Sequence, residues 1–462
     1  MSGIEAIAVS LAAVVIAALM AGYPAAMTLG GVSLAAALVG ALAGSFPLPL
    51  LNALPSRIFG VITAETLMAI PLFIAMGVTL ERSRVAEDLL AALARSLGNI
   101  RGGLGVAVVL VGTLLAAAKG VVGATTVTMG LIVLPSLLRH GYDPKLAAGT
   151  VAATSTLAQV FPPATVLLLL GDQIGNAWQA VQLAKGNYAP QPATVADLFA
   201  GAIIPGFLLV AMYIVFLLLV AWIRPALSPL LEEPANRGAS SLAAVLRALI
   251  APLGLILLVL GSILGGFATP TEAAAIGAFG AFALAGWRGG LDLPLVTGIV
   301  GRTAQMTAMI FAILIGATMF SLVFRGFGGD ELVQRLLTHL PGGTSGAVLI
   351  VMLAVFLLGF VMDAFEIIVV IVPIVAPPLL AMDGIDPIWL GVVLAVNLQT
   401  SYMHPPLGPT VFYLRSVAPP ELTTRHIYLG VIPFIVIQLV ALLALWGVPQ
   451  LATALPNALY PG

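Results

Sequence analysis

Apolar runs set the rhythm of this chain, and short polar stretches punctuate them. Ile4 to Met20, Leu198 to Trp222, Ala248 to Leu264 and Tyr428 to Trp446 approach or exceed the roughly 20 residues a helix needs to cross a bilayer core. Lipid offers the backbone no hydrogen-bond partner, so each such run is predicted to be helical. The first run carries a single charge, Glu5, at its start, no basic residue precedes it, and more spans follow it. It is therefore expected to be a retained helix, not a cleaved signal.

The pattern occurs twice. GYDPKLAAGTVAATSTLAQVFPP from Gly141 and GIDPIWLGVVLAVNLQTSYMHPP from Gly384 align at a shift of 243 without a gap. Gly141, Asp143, Pro144, Pro162 and Pro163 fall on Gly384, Asp386, Pro387, Pro405 and Pro406. Pro135 falls on Pro378, and the pair Asp88, Leu89 on Glu331, Leu332. Each half then reads as three spans, an amphipathic arm, a Gly-centred apolar hairpin, a polar turn, a span broken by Pro-Pro and a final span.

The first half, 1–223, is predicted to place spans at about 4–22, 26–46 and 58–80, and an arm at about 81–101. Its hairpin follows at about 102–138, a broken span at 145–172 and a last span at 196–223. A cytoplasmic connector covers about 224–246. The second half, 247–462, is predicted to place spans at about 247–264, 268–286 and 296–324, and an arm at 328–341. Its hairpin is expected at about 345–381, its broken span at 387–415 and its last span at 427–448. Five spans per half is an odd number, so re-entrant hairpins make the two halves face opposite ways.

Basic residues test that topology, because short cytoplasmic loops are rich in Lys and Arg. With the N-terminus outside, the inner side receives Arg82, Arg84, Arg95, Arg101, Arg139, Lys145, Arg224, Arg237, Arg247, Arg288, Arg302, Arg415 and Arg425. The outer side receives only Arg57, Lys185, Arg325 and Arg335, and Lys119 stands at a hairpin tip. The expected fold is an all-α membrane protein, an inverted repeat of about ten spans with two re-entrant hairpins and both termini on the outer face.

Composition agrees. Only 8% of the 462 residues are charged and 61% are hydrophobic, where a soluble domain carries roughly 25% charge. A net charge of −1 argues against nucleic-acid binding, where a basic patch supplies most of the affinity. The chain has no cysteine, which excludes disulfides, iron–sulfur clusters and thiol nucleophiles, and its four histidines are scattered. Glycines and prolines inside apolar stretches let membrane helices break where they line a polar cavity.

The breaks are where chemistry is expected. Pro-Pro removes two backbone donors and clashes with the preceding turn. Just before the pairs stand Thr154, Ser155, Thr156 and Gln159 in one half, and Asn397, Gln399, Thr400 and Ser401 in the other. Uncharged oxygens beside an unwound turn suit a hard monovalent cation. The opposing walls would be the hairpin tips, with Gly120, Gly123, Thr125 and Thr126 in the first and Gly359, Asp363 and Glu366 in the second. For each hydroxyl the competing reading is a cap or a bridge to a neighbouring helix. Asp363 is either an ion ligand or the cap of the hairpin's return helix. Glu272, in ATPTEAAA, reads as a helix-start acid.

These residues resemble the large membrane subunit (DctM-like) of tripartite ATP-independent periplasmic (TRAP) transporters, in particular the branch labelled for mannitol or chloroaromatic compounds. The stretches that carry the resemblance are GVVGATTVTMGLIVLPSLLRHGYDP, ATPTEAAAIGA and GIDPIWLGVVLAVNLQTSYMHPPLGPTVFYLRSVAP, and it extends over about residues 5 to 450. It implies an elevator carrier in the bacterial inner membrane, driven by sodium without a cofactor. Its partners would be a periplasmic substrate-binding protein and a separate small four-helix membrane subunit. Its ligand would be a small carboxylate, leaning toward 2-oxo or 2-hydroxy monocarboxylates. Ion ligands are then expected from Gly123, Thr125, Thr126, Thr154, Ser155, Thr156, Pro162, Asp363, Asn397, Thr400 and Ser401. Substrate contacts are expected from Lys119, Gly120, Gln159, Gln399 and His404.

Lys119 and His404 depart from the family's neutral residues at those places. Lys119 either attracts a carboxylate, replaces a sodium ion or snorkels to water. His404 either admits proton coupling or is a structural histidine. Two rivals stand beside this reading: a stand-alone proton- or sodium-coupled carrier, and an intramembrane enzyme. The enzyme lacks a convergent nucleophile and base, and no HExxH motif is present.

Overall fold

A computed structural model describes residues 3–83, 85–230, 242–287 and 290–460. Arg84, Arg237, Arg288 and most of the expected connector lie outside the described residues, as do the side chains of Lys119 and Arg247. The described residues are all helical or irregular. In the first half the helices are α1 (Gly3–Met20), α2 (Ala25–Leu42), α3 (Leu54–Thr63), α4 (Ala69–Arg82) and α5 (Val85–Leu97). They continue with α6 (Gly103–Lys119), α7 (Val122–Arg139), α8 (Pro144–Thr156), α9 (Thr165–Ala184) and α10 (Val195–Ile223). The second half opens with α11 (Leu242–Leu264), α12 (Pro270–Trp287), α13 (Leu293–Gly326), α14 (Gly329–Thr338) and α15 (Gly343–Leu358). It ends with α16 (Ala364–Val370), α17 (Val372–Ala381), α18 (Pro387–Met403), α19 (Pro409–Val417), α20 (Thr424–Gly447) and α21 (Gln450–Leu459).

Helix starts follow from local chemistry. Asp143 and Asp386, the Asp-Pro pairs of the repeat, cap α8 and α18. Asp143 Oδ1 accepts from the amides of Lys145 (2.9 Å) and Leu146 (3.1 Å), and Asp386 Oδ1 from those of Ile388 (2.8 Å) and Trp389 (2.9 Å). Each following proline sits at the first helical position, where its missing N–H is no loss. Thr269 and Glu272 close a reciprocal pair at the start of α12: Glu272 Oε2 accepts from the Thr269 amide at 2.8 Å.

Among the described residues, five helices are long and apolar enough to cross a membrane alone: α2, α7, α10, α13 and α20. Two bent pairs also qualify, and α1, α6, α11 and α15 contain shorter apolar stretches. The ten expected spans are therefore not ten straight rods. The span expected at about 58–80 is instead bent by 52° between α3 and α4. Pro71 accounts for this, because a proline is tolerated in the first turn of a helix, so α4 starts afresh beside it. The return limb of the second hairpin is likewise bent by 53° at Ile371, next to Pro373. The second limb of the first broken span continues to Ala184, since Gly171 and Gly175 are tolerated inside it and no proline occurs before Pro190. Helix α21, started by Pro449, was not expected at all.

The packing exchanges when the halves are exchanged. Helix α2 lies on α13 and α4 on α12; α7 lies on α19 and α9 on α17; α8 lies on α20 and α10 on α18. Small residues permit the closest approaches. A Cβ on Gly149 of α8 would come 2.6 Å from the carbonyl carbon of Gly430 in α20. The second arm, α14, is pinned by charge: Arg325 pairs with Asp330 at 2.9 Å, and Arg335 pairs with Glu5 of α1. Burial pushes the Asp330 carboxyl up, and Arg325 beside it draws it part of the way back.

Candidate functional site

A cavity of about 520 Å³ lies where the two hairpin tips meet. From the first half it is lined by Gly120, Val121, Val122 and Gln159; from the second by Asp363, Ala364, Phe365 and Tyr402. Each of these four pairs is related by the same shift of 243 residues. Gly123 and Tyr413 add to this wall. The opposite wall comes from α4 and α13, with Glu81, Arg82, Arg302, Gln305, Met306 and Met309.

The first tip is a backbone turn. Gly120 has φ +61°, in the left-handed region, and a Cβ there would come 2.6 Å from the backbone nitrogen and Oγ1 of Thr165. Thr165 Oγ1 donates to the Gly120 carbonyl at 3.1 Å, tying the tip to the first turn of α9. A Cβ on Gly123 would meet the Tyr413 ring at 3.1 Å, so the residue keeps α7 close to α19.

The second tip is a capped helix start. Asp363 Oδ1 accepts from the Phe365 amide at 3.0 Å, and Glu366 Oε2 accepts from the Asp363 amide at 3.2 Å, a reciprocal capping box. The Ala364 amide donates to Tyr402 Oη at 2.7 Å. Asp363 thus caps α16 and lines the cavity together.

The other candidates behave in three ways. Thr125, Thr126, Thr154, Ser155, Thr156, Thr400 and Ser401 are buried, and each hydroxyl donates to a carbonyl three or four residues back. Their oxygens keep lone pairs that fit a hard cation, but they do not line the cavity. Asn397 donates to the Met352 carbonyl at 2.8 Å, joining α18 to α15. Gln399 reaches Tyr213 Oη at 3.4 Å, where Gln438 also donates at 2.8 Å, forming a buried cluster completed by Thr156. Pro162 and Pro405 each open a cis Pro-Pro pair in the breaks.

His404 lies away from the cavity. Its Nδ1 is 2.8 Å from the Pro405 carbonyl and its ring packs between Phe356 and Phe360. Lys119 ends α6 at the tip, its side chain outside the described part. Gln159 is the opposite case: it lines the cavity, yet neither amide atom has a hydrogen-bond partner. A buried amide with unmet capacity beside a void is what a polar ligand would satisfy. Among the described residues, no three of His, Asp or Glu gather as a metal cage would require.

Sequence reasoning missed Tyr402, Tyr413 and the whole α4/α13 wall. The shift of 243 from Gln159 points to Tyr402, a signal that was available. Arg82 and Arg302 were visible only as charges on the inner side, and nothing local marks them as cavity residues.

Residues 12–451 match the family model described as the DctM component of tripartite ATP-independent periplasmic transporters. The C4-dicarboxylate TRAP transporter large permease protein of Rhodobacter capsulatus is 28% identical over 408 residues, covering 87% of this chain and 89% of the relative. The ectoine TRAP transporter large permease of Halomonas elongata is 25% identical over 408 residues, with 87% and 88% covered. The YdaH transporter of Alcanivorax borkumensis shares the fold, with a TM-score of 0.62 at 18% identity over 88% of this chain and 89% of that one.

Proposed function

We propose, from the premise that this chain belongs to the DctM component family of tripartite ATP-independent periplasmic transporters, that it carries a small carboxylate inward on a sodium gradient. The chain is a multi-pass membrane permease and not an enzyme; no bond is made or broken. The family works with a small membrane subunit and a substrate-binding protein. For this chain we assign a periplasmic binding protein as donor and a separate four-helix subunit as partner. The inner membrane is the location, and both termini face the periplasm.

One observation carries this reading: a cavity lined at equivalent positions of both halves, with an unpartnered amide on Gln159 and a carboxylate on Asp363 facing it. A site at the meeting point of two repeats, where helices are interrupted, is what alternating access between two sides requires. The packing supports an elevator. Helices α2, α4, α12 and α13 pair with one another as a frame, while the hairpins pack with α8, α9, α18 and α19. Sodium would be held by neutral oxygens at the breaks and tips, Thr154, Ser155, Thr156, Asn397, Thr400 and Ser401 with Gly123, Thr125, Thr126, Pro162 and Asp363. Substrate would lie between Gly120 and Gln159, with Lys119 at the tip; Gln399, tied to Tyr213, and His404, packed on Phe356 and Phe360, stand outside the cavity and outside the contact set. The resemblance to the mannitol or chloroaromatic branch favours a monocarboxylate. The driving force is worth about 2.3 kcal/mol per charge per 100 mV.

The test is uptake of labelled carboxylates into proteoliposomes that hold this chain and its small subunit, with the binding protein outside. Uptake that needs both sodium and the binding protein is expected. Uptake that proceeds without the binding protein would establish a stand-alone carrier, and uptake on a proton gradient alone would remove sodium from the scheme.

A further inference from the structure

We propose that Arg82 and Arg302, carried by the frame helices α4 and α13, form an anion-docking subsite on the cavity wall opposite the hairpin tips, one that takes a carboxylate group of the ligand. The carboxylate assignment rests on the transport reading above; the anion attraction does not.

Both arginines line the cavity that holds Gln159 and Asp363, and both are exposed. Among the described residues neither meets a carboxylate. Arg302 Nη1 donates to Gln305 Oε1 at 3.3 Å, which orients it along the same wall. Arg82 folds over Gly298 of α13; a Cβ there would stand 3.1 Å from Arg82 Cζ and overlap its Nη1. Two neighbouring frame helices thus bring two cations to one void.

The equivalent of Arg82 behaves differently. The shift of 243 residues places Arg325 at the same point of the second half, and Arg325 is paired with Asp330 at 2.9 Å. Glu81, the acid next to Arg82, accepts a hydrogen bond from Thr128 of α7 at 2.5 Å. The topology rule accounts for basic residues near the inner face. It gives no reason for two arginines to share a cavity whose acids, Glu81 and Asp363, accept from Thr128 and from the Phe365 amide and pair with neither of them. A guanidinium presents a planar fork that matches a carboxylate, and a cleft with low-dielectric walls strengthens the attraction.

The chain has no cysteine, so Met309→Cys puts a single thiol into this cavity, where Met309 is 48% exposed. In the full chain with its small subunit in nanodiscs, the thiol is reacted with sulfonatoethyl and with trimethylammonioethyl methanethiosulfonate, and both rates are read by intact mass. The anionic reagent is expected to react about tenfold faster, and adding Arg82→Gln or Arg302→Gln lowers that ratio by about tenfold. Adding Arg82→Lys keeps it, which separates charge from folding. Equal rates in the parent, or a ratio that neither Gln substitution moves, overturns the subsite.

Succinate, pyruvate and lactate are then offered as protectants against chloride. Slowing by at least one of them, lost in the Gln variants, supports the carboxylate assignment; no slowing, or slowing that chloride equals, overturns it. Failure of uptake with an intact anion preference would instead fault the transport reading.

Discussion

The first hairpin turns at Gly120 and the second at Asp363, positions made equivalent by the 243-residue shift, and the two tips reach one cavity by different means. At the first, the chain turns through a left-handed glycine pressed against the backbone of Thr165, and Val121 caps α7 with no side-chain hydrogen bond. At the second, a carboxylate caps the return helix and Tyr402 accepts from the next amide. The partners differ in the same sense: Gln159 has no hydrogen bond, whereas Tyr402 is bonded into the tip. A duplicated architecture therefore does not duplicate its chemistry. Counting each tip with its broken-helix partner, the first offers the cavity backbone and an open amide, and the second offers a carboxylate and a rigid cap.

Substitutions at four positions would break or sharpen that contrast. The largest effect is expected from Gly120→Ala. A left-handed φ costs about 1–2 kcal/mol for an alanine, and the Cβ would meet a backbone nitrogen that cannot rotate away. Uptake into proteoliposomes should fall about a hundredfold, by about 2–3 kcal/mol; near-normal uptake would mean the tip is not held in this turn. Asp363→Asn comes next, since asparagine also caps helices but carries no charge. Uptake should drop about tenfold while the melting temperature stays put, and Asp363→Ala should lower both, the lost cap costing about 1 kcal/mol. Full uptake by the Asn variant would leave Asp363 as a cap alone.

The pair Gln159 and Tyr402 gives smaller effects of opposite sign. Tyr402→Phe strands the Ala364 amide, so denaturant unfolding should show a loss of about 1–2 kcal/mol. Gln159→Leu removes an amide that has no partner, so stability should hold or rise slightly while uptake falls severalfold. Equal destabilisation by both would show that Gln159 is bonded after all.

Much of this could be read along the chain. The two Asp-Pro pairs are the caps of α8 and α18, and the Pro-Pro pairs do separate α8 from α9 and α18 from α19. Caps and breaks are local events, decided by a few neighbouring residues. The bends at Pro71 and Pro373 were less legible, because a proline inside an apolar run either starts a helix or sits in one, as Pro135 sits inside α7. The hydroxyls before the breaks were conspicuous in sequence, but helical geometry lets each satisfy itself on its own backbone. His404 shows the same limit: its neighbours in sequence say nothing of Phe356 and Phe360, which hold its ring.

By itself, then, the sequence determined that the chain is a helical membrane protein with helix starts and breaks at matching places, because hydropathy and backbone chemistry act over a few residues. Which side chains share the cavity was decided only by tertiary structure. Arg82, Gly120, Gln159, Arg302, Asp363 and Tyr402 are dispersed along the chain and meet because four frame helices pack in exchanged pairs around two hairpin tips. That convergence depends on helix rotation and close contact at small residues such as Gly149, Gly298 and Gly430, quantities fixed by packing between segments and written in no single stretch of sequence.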